Sequence, residues 1–344
     1  MSGAARAVCR LLADPAAAAG LDAPGWTAVI AAARAELLIG TLAHRVAGLP
    51  LPPAVASIMA AARDSAAEGR RQALWEVEMA RRALAPLGCP VVLLKGSAFA
   101  AAGLAAGQGR HIGDLDILAR RDALDAVERA LLAAGWEWVK PDPYDDAYYR
   151  RWMHELPPLI HRERDRMIDV HHTILPPTAR ITPDAAALLA AAVPLGNGLA
   201  VPSREDMVVH GAIHLFADGD LAGGLRNLWD IDRLLREFAA DDADDAFWLR
   251  LAARAAEHQA AAVVARAMRL AHALFGTPVP PGARAGAPGD ALFRRRLLAR
   301  DGWGRATRPA TRLAFYVRSH WLRMPPLLLA RHLWIKARNR PARS

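Results

Sequence analysis

The sequence predicts a mixed α/β (α+β) fold, in which a small mixed sheet carried by residues 87–176 is flanked by N-terminal and C-terminal helical regions. Three observations lead there. Between residues 87 and 176, short apolar runs alternate with amphipathic stretches in the order strand, helix, strand, helix, strand, strand. On either side, apolar residues recur at three- and four-residue spacings with Arg and Glu between them, the period of a helix. The chain has 344 residues, 53% of them hydrophobic and 23% charged. That is length enough for a large core without disulfide or metal staples, and the composition excludes wholesale disorder.

Residues 1–86 form the N-terminal helical region. Helices are expected over Trp26–Val46 and Val55–Leu84, separated where Pro50, Pro52 and Pro53 interrupt the pattern. The sheet region opens with the apolar run Pro90-Val-Val-Leu-Leu, a buried strand that ends in a turn at Lys95-Gly96-Ser97. A helix from Ser97 to Ala106 follows, stopped by Gly107-Gln108-Gly109. Ile112–Leu118 alternates polar and apolar residues as a half-buried strand does. Asp122–Ala134 is an amphipathic helix closed by Gly135. Further strands are expected over Leu156–His161 and Met167–Ile174. Residues 177–290 return to helix: one is capped by Ser203 and runs through His210 and His214, a second spans Leu225–Phe238, and a third spans Asp245–Leu274. Residues 291–344 form a basic amphipathic helical tail.

The charge is unevenly placed. The formal net charge is +9, from 44 basic and 35 acidic residues, a balance that suggests nucleic acid, anionic membrane or phosphorylated ligands. Only Lys95, Lys140 and Lys336 are lysines, and alanine makes up about a fifth of the chain, so the abundance of Arg follows an overall bias in usage. Residues 291–344 hold 13 Arg and one Lys against one acid, Asp301, while the rest of the chain holds 30 basic and 34 acidic residues. The basic excess is therefore a property of the tail. With its interleaved aromatics, the segment 305–344 suits an anionic membrane surface, a protein partner, nucleic acid, or docking on the protein's own body. No run of 18 uncharged apolar residues occurs, and the N-terminus lacks an uninterrupted apolar leader. Cys9 and Cys89 follow no metal or redox spacing and read as buried thiols in a reduced compartment. The expected location is cytoplasmic, with a membrane-peripheral contact through the tail as a variant.

The chemistry concentrates in the sheet region. Asp114 and Asp116 are two apart on an expected strand, so both carboxylates point to one face while Leu115 and Ile117 point to the other. Paired carboxylates repel unless a cation neutralises them, and Mg²⁺ is commonly held by one or two carboxylates together with substrate phosphates. Asp169 is flanked by Ile168 and Val170 on another strand and likewise faces away from the core. Gly96-Ser97 follows a strand and opens a helix, where backbone N–H groups can hold a phosphate. Each feature alone is common on ordinary surfaces. Their conjunction fits divalent cations directing an in-line phosphoryl or nucleotidyl displacement.

Leu93-Leu94-Lys95-Gly96-Ser97, Arg110-His111-Ile112-Gly113-Asp114-Leu115-Asp116-Ile117-Leu118 and Ile168-Asp169-Val170-His171 together resemble a bacterial nucleotidyltransferase-like family within the DNA polymerase β-like nucleotidyltransferase superfamily. The helical part after Ser203, with His210, His214 and Leu225-Arg226-x-x-x-Asp230, is similar to that family's downstream helices. The resemblance implies a nucleotidyltransferase core that moves a nucleoside monophosphate from an NTP to an acceptor. It implies Asp114, Asp116 and Asp169 as ligands of Mg²⁺ or Mn²⁺, and Gly96 and Ser97 at the triphosphate. Lys95 is an expected phosphate contact, since one of only three Lys in an Arg-using chain suits a compact point charge. Arg110 would steady the triphosphate or pair with a nearby aspartate. His171, His210, His214, Arg226 and Asp230 are accessory candidates.

Two other readings stay open. A catalytically idle nucleotide-binding or interaction module would keep the same residues without turnover. A His/Asp metallo-phosphohydrolase would centre on His210 and His214, four apart on one helix face, although the intervening Gly211-Ala-Ile lacks the glutamate of the metalloprotease helix motif.

Overall fold

The computed structural model describes residues 3–241, 246–325 and 329. Helices α1 (Ala4–Ala13), α2 (Ala23–Ala35), α3 (Ile39–Arg45) and α4 (Pro53–Leu84) form the N-terminal region. The single helix expected over Trp26–Val46 is divided, because Leu37 adopts a left-handed φ of 55° between α2 and α3. Seven strands then build one sheet, laid out β3-β4-β5-β2-β1-β7-β6. They are β1 (Val91–Leu93), β2 (Asp114–Leu118), β3 (Trp136–Trp138), β4 (Leu159–His161), β5 (Met167–His171), β6 (Val193–Gly196) and β7 (Leu199–Val201). Short helices connect them: α5 (Lys95–Ala101), α6 (Leu124–Ala133), α7 (Pro143–Trp152) and α8 (Ala185–Ala190).

β2 runs parallel to β5 and β1 parallel to β7, while the remaining neighbours are antiparallel. This mixture is the α/β sheet expected of residues 87–176, enlarged at both edges, by β3 beside β4 and by β7 and β6 beside β1. The hairpin β6–β7 lies in a stretch expected to be helical, and it extends the sheet past residue 176. Its turn is made of Gly196, Asn197 and Gly198, all with positive φ. That conformation suits a tight hairpin and no helix.

Beyond the sheet lie α9 (Arg204–Ile213), α10 (Gly224–Ala240), α11 (Ala246–Glu257), α12 (Ala261–Phe275), α13 (Asp290–Leu297) and α14 (Pro309–Arg323). Ser203 caps α9 by accepting the Asp206 N–H, as its position predicts. A five-residue π turn over His214–Asp218 ends this helix. The single helix expected over Asp245–Leu274 is broken instead at Gln259, whose φ is 55°. Buried residues from α1 through the sheet to Phe315 of α14 join in one hydrophobic core. Cys9 lies in that core, where burial pushes its thiol up to about 12. Cys89, expected to be buried as well, is exposed, because it sits in the turn that leads into β1.

The tail's described part docks on the body. Phe315 is buried against Phe293, Thr178 donates to the Arg323 carbonyl, and Arg318 donates to the Phe216 carbonyl. Most of 326–344 lies outside the described residues. Among the described residues, no helix is long and apolar enough to cross a membrane.

Candidate active site

The parallel register of β2 and β5 sets Asp116 directly opposite Asp169 and Asp114 opposite Met167. Side chains alternate along a strand, so the three carboxylates share one face of the sheet. One oxygen from each lies within 4.8 Å of the other two. Leu115, Ile117, Ile168 and Val170 pack into the core and lock this register, since a slip of one residue would bury the acids.

The three carboxylates differ in their surroundings. Asp114 is exposed, Asp169 half-buried and Asp116 only 2% exposed. Asp116 Oδ1 receives Lys95 Nζ at 2.6 Å and His171 Nε2 at 2.8 Å. Burial opposes its ionisation, but Lys95 and His171 outweigh burial and hold the carboxyl well below the ordinary range. The side chains of Asp114 and Asp169 make no hydrogen bond or ion pair among the described residues. Burial, and then the charges of Asp116 and Asp114, push Asp169 up to about 7. The cluster thus carries negative charge that the protein's own cations only partly neutralise. All its donors are hard oxygens, so the residues present fit Mg²⁺ or Mn²⁺.

Lys95 reaches Asp116 through an unusual backbone. It opens α5 with a left-handed φ of 49°, which costs a non-glycine residue about 1 kcal/mol or more. The Leu94 N–H bonds the Asp116 carbonyl at 2.9 Å, tying the turn to β2. Burial works against the ammonium form, yet Asp116 reverses this and raises the Lys95 pKa.

Gly96 has a reason independent of phosphate. A Cβ there would lie 2.0 Å from Arg110 Nη1, so the turn closes over the Arg110 side chain only because Gly96 has none. Arg110, considered for the triphosphate, is instead committed to Asp230 at 2.9 Å and to the His111 carbonyl at 3.2 Å. Both partners of the ion pair are buried. Its partner is not one of the nearby aspartates considered from the sequence but one 120 residues downstream. Ser97 is buried and lines a small cleft with Gly113, Asp114 and Arg166.

Arg226, from the first turn of α10, joins Lys95, Arg110, His210, His214 and Asp230 around a cavity of about 40 Å³. Its Nε is buried without a partner. Burial lowers its pKa, while Asp230, Asp114 and Asp116 favour the charged form. His210 is deeply buried, and burial together with Lys95 holds its pKa far down. His214 turns to Asp218 at 3.4 Å, and its ring centroid stands 6.4 Å from that of His210. Neither histidine belongs to a converging group of ligands among the described residues.

Sequence reasoning missed two residues here. Glu155 pairs across an isolated bridge with His171, and its carboxylate lies 3.5 Å from His171 Nδ1 and 3.7 Å from His154 Nε2. Burial and then Asp169 push Glu155 up to about 8, and burial pushes His154 down to about 3. No local pattern marks His154-Glu155; only the pairing with β5 brings them to the site. A cleft of about 830 Å³ lies past the other end of β2 and is lined by Arg120, Arg121, His172 and Pro176 among others, but by none of the three carboxylates.

A comparison with known families decides the class. The chain belongs to the family described as uncharacterised nucleotidyltransferase, whose model matches residues 22–276. The match takes in the whole sheet, all three aspartates and helices α9 to α12. It begins at Asp22, the cap of α2, so α2, α3 and α4 fall within the family's unit while α1 precedes it. No curated protein matches the chain significantly. A nucleotidyltransferase family and a carboxylate cluster able to hold a metal ion meet in one place on this sheet.

Proposed function

We propose that the protein is a metal-dependent nucleotidyltransferase that moves a nucleoside monophosphate from an NTP to an acceptor. The acceptor's hydroxyl, or a similar group, attacks the α-phosphorus. One new bond to phosphorus forms as the bond to the bridging oxygen breaks, and diphosphate leaves with the electron pair. The observation that carries this reading is the pair of unpartnered carboxylates, Asp114 and Asp169, converging on Asp116 in a chain of this family. Mg²⁺ or Mn²⁺ held by the three would neutralise phosphate charge and orient the reacting groups.

The chain's own residues supply the rest. Asp169, kept ionised by a cation in the cluster, would serve as a proton acceptor for the attacking group. Lys95, whose side chain is 25% exposed, would turn from Asp116 toward a phosphate oxygen once a cation neutralises that carboxylate. Ser97 borders the cleft beside Asp114 and would contribute its hydroxyl there. Arg226 has a buried Nε without a partner and feels the charges of Asp114 and Asp116, so it suits the triphosphate better than Arg110 does. Arg110, held by Asp230, acts as a positioning residue beneath the Lys95-Gly96 turn. His171 orients Asp116.

The test is transfer of label from an α-labelled NTP to components of a cell lysate with Mg²⁺ present. Labelled product is expected with the wild type and not with Asp169→Asn. One observation favours a second reading, an idle nucleotide-binding module: Lys95 already occupies Asp116 Oδ1, where a metal would bind. Magnesium-dependent NTP binding without label transfer in any lysate would select that reading.

A further inference from the structure

We propose that His154, Glu155 and His171 form a second cation site, for a divalent transition ion of the zinc class, beside the carboxylate cluster and distinct from it. This goes beyond the nucleotidyl-transfer reading and does not depend on it.

The argument begins with the His171 tautomer. Asp116 is an ionised carboxylate and can only accept, so the bond of 2.8 Å at His171 Nε2 requires the proton on that nitrogen. In the neutral ring, Nδ1 is then the nitrogen free to coordinate. His171 Nδ1 is buried with no hydrogen-bond partner, and Glu155 Oε2 stands 3.5 Å from it. A buried ring nitrogen thus faces a carboxyl oxygen inside the protein without a hydrogen bond between them. His154 approaches the same oxygen with Nε2 at 3.7 Å. Its side chain is 10% exposed and that of His171 2%. Burial disfavours the imidazolium form of His154 and keeps it a neutral donor.

The spacing fits an ion. Two ligands bonded to zinc at about 2.0–2.1 Å with tetrahedral angles stand about 3.3–3.4 Å apart. The separations of 3.5 and 3.7 Å are a few tenths of an ångström longer, and all three donor atoms lie within 4.8 Å of one another. The surroundings of His171 also match the habit of metal-bound imidazoles, whose second nitrogen donates to a carboxylate that fixes the ring; Asp116 fills that position. Two imidazoles and one carboxylate favour zinc, cobalt or iron over magnesium, which prefers oxygen alone. The two sites thus sort ions by donor chemistry, with nitrogen on one side of Asp116 and oxygen on the other.

The test is titration of metal-stripped, full-length protein with Zn²⁺, and separately with Co²⁺, in millimolar Mg²⁺ that occupies the carboxylate cluster. One equivalent of each ion is expected to bind without displacement by Mg²⁺. His154→Ala and Glu155→Gln should each weaken this by tenfold or more, and Asp114→Asn should leave it within about twofold. Circular dichroism verifies that the variants fold. The visible spectrum of the wild type with Co²⁺ decides the matter without a variant: intense bands mark low-coordinate ligation with nitrogen, and weak bands mark six oxygens. Absence of a Mg²⁺-resistant equivalent, a weak Co²⁺ spectrum, or affinity lost in Asp114→Asn but kept in His154→Ala would overturn the proposal. Magnesium-dependent NTP binding, measured apart, is unaffected by that failure.

Discussion

At the scale of single residues, Arg110, Gly96 and Asp230 form one unit. Gly96→Ala would drive a Cβ into the Arg110 guanidinium and pull it from Asp230. Arg110→Met would strand Asp230 as a buried, unpaired charge, and removing one partner of such a pair costs about 3–5 kcal/mol. The double variant Arg110→Met with Asp230→Leu should recover much of that loss, since replacing a buried pair by apolar groups is often near neutral; urea melts of the three variants check this. Asp169 yields a prediction in pH. Its folded pKa of about 7 lies above the ordinary 3.8, so folding favours its protonated form. That contribution is fully present below about pH 4 and is lost as pH rises through 7. Metal-free protein should therefore melt lower at pH 8 than at pH 5, and Asp169→Asn should reduce the difference. A bound cation favours the ionised form instead, so Mg²⁺ affinity should fall by up to about tenfold per pH unit below 7. The aspartates were legible in the sequence because their apolar neighbours reveal the strand faces. Arg110's commitment was not, because its partner lies 120 residues away.

At the scale of elements, strands β1, β2 and β5 were legible because each is a short apolar or alternating run with a clear end. The β6–β7 hairpin was missed although Asn197-Gly198 is a hairpin signal: its flanking strands are short, and β6 is exposed along its whole length. The break between α11 and α12 was hidden in an unbroken helical pattern. Tertiary bonds stabilise it there, where Asp206 accepts Arg254 at 2.8 and 2.6 Å and meets His258 at 3.2 Å. Asp206 is fully buried, so Asp206→Ala should cost about 3–5 kcal/mol by leaving these groups unpaired, as equilibrium unfolding would register. Helix α14 holds the body through Phe315, which is 1% exposed. Phe315→Ala should cost about 3–5 kcal/mol, and a chain ending at Arg308 should melt well below the full chain.

At the scale of the whole molecule, the four expected segments share one hydrophobic core, with a polar strut at its centre. Glu36, at the end of α2, receives Arg300 at 2.7 Å and the Leu225 N–H of α10 at 3.3 Å. This joins the N-terminal helices, the helices after the sheet and the segment leading to the tail. Unfolding should accordingly be a single cooperative transition by circular dichroism and by Trp fluorescence alike. The basic excess is carried in the sequence by residues after 290 and not by the strands β2 and β5 that hold the acidic cluster, so net charge says little about the chemistry there. The central claim is that this cluster binds a metal–nucleotide complex, and calorimetry with Mg²⁺ and a non-hydrolysable NTP tests it most directly. Wild-type protein should bind NTP only with Mg²⁺ present, and Asp114→Asn combined with Asp169→Asn should abolish that binding while the fold persists. Binding that is unchanged in the double variant, or that needs no Mg²⁺, would contradict the assignment.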